Sequence, residues 1–326
     1  MLRHLRFVFC CVVCVILASA VFQPVWGQSY PNKPVRIVVP FAAGSATDIV
    51  ARLLAEELRA ALGQSFVVDN RPGASAQIGA EHVAKSAADG YTLFLTTNTS
   101  HSANPFLFKK LAYDPIKDFA PVARVMYIPV IVVVDPKTPV NNMQQLIALA
   151  KAQPGKLTFG YGNSIGQVTG AAFAKMAGIS VVTVPYKSTP QAMTDVMGGQ
   201  VTFAITDMAS GQGNVKSGKL KALAVSSERR SALMPDLPAM SETPGLEGFD
   251  LSAWVALFAP AGTPKDIIDR LNAEIRRALT KNEIKDRVTQ FSAEVAPSSP
   301  EELGDFVKAQ LASWGRRIKD AGIEPE

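Results

Sequence analysis

Short apolar runs alternate with amphipathic stretches from residue 35 onward, and this alternation limits what the chain can fold into. Residues 35–40 form a continuous apolar run broken by one Arg, the pattern of a strand buried on both faces. Across 48–62, Val50, Leu53, Leu54, Leu58 and Leu62 fall on one face of a helix. A strand over 65–68, a helix over 77–86 and a strand over 92–96 complete a βαβαβ pattern. Parallel strands joined this way need helices over the sheet, so the fold class is α/β.

The alternation continues to the end. Strands are predicted over 127–134, 157–161, 181–184, 201–206, 220–226 and 254–259, with helices over 144–152, 167–176 and 189–197. The last part is helical, over 265–280, 282–290 and 300–321. No repeat and no flexible linker interrupts the chain.

Residues 1–27 read as a secretory leader. Arg3, His4 and Arg6 precede an almost wholly apolar run over 7–21, and Val25-Trp26-Gly27 lies where a peptidase would cut before Gln28. All three cysteines fall inside it, so the mature chain would have none. That excludes disulfides, zinc–thiolate centres and cysteine nucleophiles. Losing Arg3 and Arg6, and no acidic residue, takes the formal charge from +5 to +3. This is too weak and dispersed for a nucleic-acid protein. No later apolar stretch reaches the roughly 18 residues of a membrane span. A periplasmic location is expected, with a function that uses neither ATP nor a thiol.

Two loops carry the chemistry. The first, Phe41-Ala42-Ala43-Gly44-Ser45-Ala46-Thr47-Asp48, joins the first strand to the first helix. Ser45 and Asp48 have the spacing of a capping box. With Ser45 as N-cap, the amides of Ala46, Thr47 and Asp48 have no helical acceptor, and the helix dipole is positive there. Small side chains let a ligand reach that backbone, so the loop is either a carboxylate site or an ordinary capped start. Asp48 itself would orient the loop, bind an amine or satisfy the cap. One glycine and no G-K-[ST] exclude both nucleotide fingerprints.

The second loop, Gly162-Asn163-Ser164-Ile165-Gly166, matches the G-x-S-x-G of a nucleophile elbow. That fold needs a histidine after the serine. His82 and His101 both precede Ser164, and a serine without a base is a poor nucleophile. Backbone amides and the Ser164 hydroxyl, offered to a ligand oxygen, are the better reading. Two such loops facing each other would clamp a small anion. Asp207, after the strand at 201–206, either meets a ligand amine or water or forms a turn. Tyr186 is a candidate ligand contact and Lys187 a contact or a solvated charge. His101 lines a cleft or sits in a solvated loop, His82 is on a helix surface, and Trp254 belongs to the core. Two separated histidines make no metal site, and no cofactor is expected.

Seven segments in order resemble the Bug family of periplasmic solute receptors, which serve tripartite tricarboxylate transporters. They are Tyr30-Pro31-Asn32-Lys33-Pro34-Val35-Arg36-Ile37-Val38-Val39-Pro40-Phe41, Asp69-Asn70-Arg71-Pro72-Gly73-Ala74, Ala88-Asp89-Gly90-Tyr91-Thr92-Leu93, Tyr113-Asp114-Pro115-Ile116-Lys117-Asp118-Phe119, Val184-Pro185-Tyr186-Lys187, Gly218-Lys219-Leu220-Lys221-Ala222-Leu223-Ala224 and Ala259-Pro260-Ala261-Gly262-Thr263-Pro264. The resemblance implies a two-lobed type II periplasmic-binding-protein fold, each lobe a sheet flanked by helices, with crossing strands at the hinge. Lobe 1 would comprise 28–126 plus 253–326, and lobe 2 residues 127–252. It also implies carboxylate groups held by the loops 41–48 and 162–167. Two departures touch those loops: Ala43-Gly44-Ser45 stands for P-G-G, and Gln167 stands for His in G-S-x-x-H.

The expected ligand set is Phe41, Ala43, Gly44, Ser45, Ala46, Thr47, Asp48, Asn163, Ser164, Gln167, Tyr186 and Asp207, with no catalytic residue. The expected function is capture of a small carboxylate by a monomeric receptor. Its partners are membrane transporter subunits or, alternatively, a sensor receptor. A serine hydrolase using Ser164 is the less supported reading.

Overall fold

The computed structural model describes residues 30–186, 189–290, 293–320 and 322–325. The leader predicted over 1–27 and Lys187 lie outside the described residues. From Lys33 to Glu326 the chain forms one compact unit.

In chain order the elements are β1 (Val35–Val39), α1 (Ala46–Leu62), β2 (Phe66–Asn70), α2 (Gln77–Ala84), β3 (Thr92–Thr97), α3 (Asn104–Leu107), β4 (Phe119–Ile128) and β5 (Val130–Val134). Next come α4 (Met143–Ala152), β6 (Thr158–Tyr161), α5 (Ser164–Ala177), β7 (Val182–Pro185), α6 (Thr189–Met197), β8 (Phe203–Asp207) and α7 (Met208–Lys216). The chain ends with β9 (Lys221–Val225), β10 (Ala253–Pro260), α8 (Lys265–Thr280), α9 (Asn282–Gln290), β11 (Glu294–Val295) and α10 (Pro300–Asp320).

These strands build two mixed sheets flanked by helices, the two-lobed α/β fold. The first has the order β11-β4-β10-β3-β1-β2 and the second β7-β6-β8-β5-β9. β1 is parallel to β2 and β3, as the βαβαβ pattern requires, whereas β10 runs antiparallel to β3 and β4. In the second sheet β6 is parallel to β7 and β8, and β5 is antiparallel to β8 and β9. The all-apolar β5 and the fully buried β10 lie inside their sheets.

The apolar run over 127–134, predicted as one strand, is two. Pro129 has no N–H to give a ladder and holds its φ fixed, so the pairing stops there. The chain leaves the first sheet at Ile128 and enters the second at Val130. It returns between Val225 and Ala253. The early part of β4 escapes sequence pattern because its Ala, Pro and Arg do not alternate. α7 escapes because Ser210, Gly211 and Gly213 are weak helix formers and break up its apolar spacing.

α5 lies close on the second sheet because Gly170 has no side chain. A Cβ there would sit 2.1 Å from the ring of Phe159, which stacks on Phe203 at 5.2 Å. Gly170→Ala should therefore lower the stability by about 1–3 kcal/mol through overpacking, read from the urea midpoint. An unchanged midpoint would mean that the ring and helix separate freely.

Candidate functional site

Strand ends place the site. In open α/β sheets ligands bind beyond the carboxyl ends of the parallel strands. Here the loops after β1 and β3 of the first sheet, and after β6 and β8 of the second, surround one cleft of about 570 Å³. Phe41, Gly44, Ser45, Ala46, Thr47 and Ile49 line it from the loop after β1, and Thr97, Asn98 and Thr99 from the end of β3. Asn163, Ser164 and Ile165 face it from α5, and Asp207 and Ser210 from the start of α7. Ile128 and Ala253 close it where the chain crosses between the sheets.

The first loop is shaped by a hydrogen-bonded knot behind it. Ser45 is the N-cap of α1, and its Oγ accepts from the Asp48 amide at 3.2 Å. The reciprocal arm goes one residue further back than a capping box has it: Gly44 N donates to Asp48 Oδ2 at 2.8 Å. Gly44 needs to be glycine because its φ is +83° in otherwise open space. Arg52 forks onto both Asp48 oxygens at 3.1 and 3.0 Å. Asn70 Nδ2 bridges Asp48 Oδ1 at 2.9 Å and the Phe41 carbonyl at 3.1 Å. Burial pushes the Asp48 carboxyl up, but the hydrogen bonds from Arg52, Gly44 and Asn70 outweigh it and hold the group below its ordinary value. Asp48 thus orients the loop, and Arg52 neutralises it.

The Ala46 and Thr47 amides lie at the first two positions of α1 and have no intrahelical acceptor. The second loop repeats the arrangement. Asn163 is the N-cap of α5 and accepts from Gly166 N at 2.9 Å, while its Nδ2 reaches Thr189 Oγ1 at 3.2 Å. This leaves the Ser164 and Ile165 amides, at the first two positions of α5, without an intrahelical acceptor in the same way. Across the cleft, Ser164 Oγ lies 3.4 Å from Thr99 Oγ1. Asp207 caps α7, taking Ser210 N at 2.8 Å and Ser210 Oγ at 3.1 Å.

Four members of the expected set lie off the cleft lining. Ala43 is exposed beside it, and Asp48 is buried behind it. Gln167 sits one turn into α5, and Tyr186, half-buried, packs against the second sheet's core with its hydroxyl donated to Asp195 at 2.6 Å. Sequence reasoning missed Thr97, Asn98 and Thr99, although the strand-end rule that found 41–48 applies equally after β3.

His101 is neither a cleft residue nor a solvated one. It is wholly buried, stacked on Phe258 at 4.1 Å and tilted against Phe119 at 4.7 Å. Its Nδ1 meets Ser100 Oγ at 2.9 Å. Burial pushes its pKa down to about 3, so the ring is neutral. His82 is half-buried and Trp254 wholly buried. Among the described residues no three His, Cys, Asp or Glu side chains converge as metal ligands, and no helix is long and apolar enough to cross a membrane.

Residues 50–323 match the model of the tripartite tricarboxylate transporter family receptor. Three similar solved structures agree. The periplasmic binding protein BugD is 36% identical with a TM-score of 0.77, covering 91% of this chain and 100% of that one. R. palustris Rpa4515 with adipate is 33% identical with a TM-score of 0.82, covering 91% and 100%. MatC (Rpa3494) from Rhodopseudomonas palustris with bound malate is 31% identical with a TM-score of 0.76, covering 89% and 100%. The chain belongs to this receptor family. It is a periplasmic-type solute-binding protein of the Bug kind.

Two outcomes follow from the buried groups. Asp48→Ala strips an acceptor from Gly44, Arg52 and Asn70 and should cost about 1–3 kcal/mol of unfolding free energy. Equal stability of the variant would show the knot to be idle. His101 has a folded pKa below its unfolded value, so the unfolded chain binds the extra proton between the two. Its contribution is present in full above the unfolded pKa, near 6.5, and is lost as pH falls toward about 3. Moving from pH 7 to pH 5 should cost the wild type about 2 kcal/mol more than His101→Phe, measured by urea titration.

Proposed function

We propose that this protein captures a small carboxylate in the cleft between its two lobes and hands it to the membrane subunits of a tripartite tricarboxylate transporter. The observation that carries the reading is the pair of capped helix starts. Ala46 and Thr47 on one side, and Ser164 and Ile165 on the other, offer amides with no intrahelical acceptor to one cleft. No Arg, Lys or His is among the described residues lining it. Neutral donors and two dipole ends of about half a charge suit a carboxylate. The adipate and malate bound by Rpa4515 and MatC are ligands of that chemistry. A ligand touching both sides favours the closed arrangement, because only differential affinity shifts such an equilibrium. Residues 1–27 serve as the export leader, and no step requires catalysis.

Proline at the first helical position isolates the amide from the fold. It removes only an N–H that has no helical partner, and Ser45, at φ −68° and ψ 158°, already has the backbone that proline demands of the residue before it. Ala46→Pro should therefore keep the ligand-free melting temperature within a few degrees. It should weaken binding of the best organic acid in a thermal-shift screen by about tenfold, one charge-assisted hydrogen bond. Undiminished binding by the variant would remove the first loop from the site. Steady ester turnover abolished by Ser164→Ala would replace the receptor reading with a hydrolase.

A further inference from the structure

The helix starts around the cleft are not electrically alike. α1 and α5 are capped by neutral side chains, Ser45 and Asn163, so neither cap offsets the dipole of its own helix. α7 is capped by the carboxylate of Asp207, which lines the cleft. β6 and β8 are neighbouring parallel strands, so the starts of α5 and α7 rise side by side, roughly one strand spacing of about 5 Å apart at their roots. One full negative charge there offsets two half-charges from the helix starts. The second-sheet side is thus close to neutral. On the first-sheet side, Asp48 is paired to Arg52, and the α1 start keeps its positive end.

Resting on the carboxylate reading above, we infer that Asp207 sets ligand specificity. The ligand's single carboxylate lies on the α1 start, and its far end presents a hydroxyl or ammonium donor to Asp207, in place of a second carboxylate. Asp207 is suited to this. Ser210 occupies one acceptor site on each of its oxygens, and each carboxylate oxygen has a second lone pair. A second ligand carboxylate would face that charge with no cation among the described lining residues to offset it. The body of the ligand would lie along Ile49, Ile128 and Ile165.

Matched acids test this by thermal shift and calorimetry. For each of succinate, adipate and terephthalate, the diacid is compared with the two analogues in which one carboxylate becomes hydroxymethyl or aminomethyl. An analogue should bind about tenfold more tightly than its parent diacid in at least one set, and Asp207→Asn should erase the difference. Asn caps a helix as well as Asp, so the variant should fold, which its ligand-free melting curve checks. A parent diacid binding as tightly as its analogues, in every set that binds, overturns the inference and leaves the carboxylate site standing. A preference that survives in Asp207→Asn also overturns it. If none of the compounds binds the wild type, both the carboxylate site and this refinement fall.

Discussion

A helix start leaves N–H groups that its own backbone cannot satisfy, and this protein turns that shortage toward its cleft. Each of α1, α5 and α7 begins at the carboxyl end of a strand, so its open end points out of the sheet edge. Two sheets arranged with those edges around one space produce a donor-rich cavity without a basic side chain in its described lining. The cap residues satisfy one amide in each first turn and leave the others without an intrahelical acceptor. The cavity depends on that arithmetic.

The loops must be held still for such donors to act together. On the first-sheet side the knot of Asp48, Arg52 and Asn70 fixes the loop through both its carbonyl at Phe41 and its amide at Gly44. On the second-sheet side Asn163 ties the α5 start to Thr189 at the start of α6. On the first-sheet side Asp48, Arg52 and Asn70 do this from behind the lining, whereas Asn163 does it from within the lining. The cost of ordering is met in folding, and little conformational entropy is left to lose on binding.

Much of this was legible in the residues. The 3.6-residue spacing of Val50, Leu54 and Leu58 gave α1, and Ser45 three before Asp48 gave its cap, because both signals are local. Which of its three roles Asp48 plays was not legible, since Asn70 reaches it only once β2 lies beside β1. His101 looked like a loop residue because it sits among serines. Its burial comes from Phe119 and Phe258, which belong to β4 and β10, elements far along the chain. Thr97, Asn98 and Thr99 carried a strand-end signal that was readable, while Ile128 and Ala253 carried none.

The sequence by itself determined the alternation of strands and helices, the capped starts, the glycine at position 44 and the confinement of all three cysteines to residues 1–27. Each rests on a short-range rule of periodicity, backbone dihedral or composition. The tertiary structure decided which strand ends share a cleft, that Ser164 meets Thr99 across it, and that Asp48 faces away from it while Asp207 faces in. Those relations join segments tens to more than a hundred residues apart, and only the packing of two sheets around the crossings at Pro129 and before Ala253 brings them together.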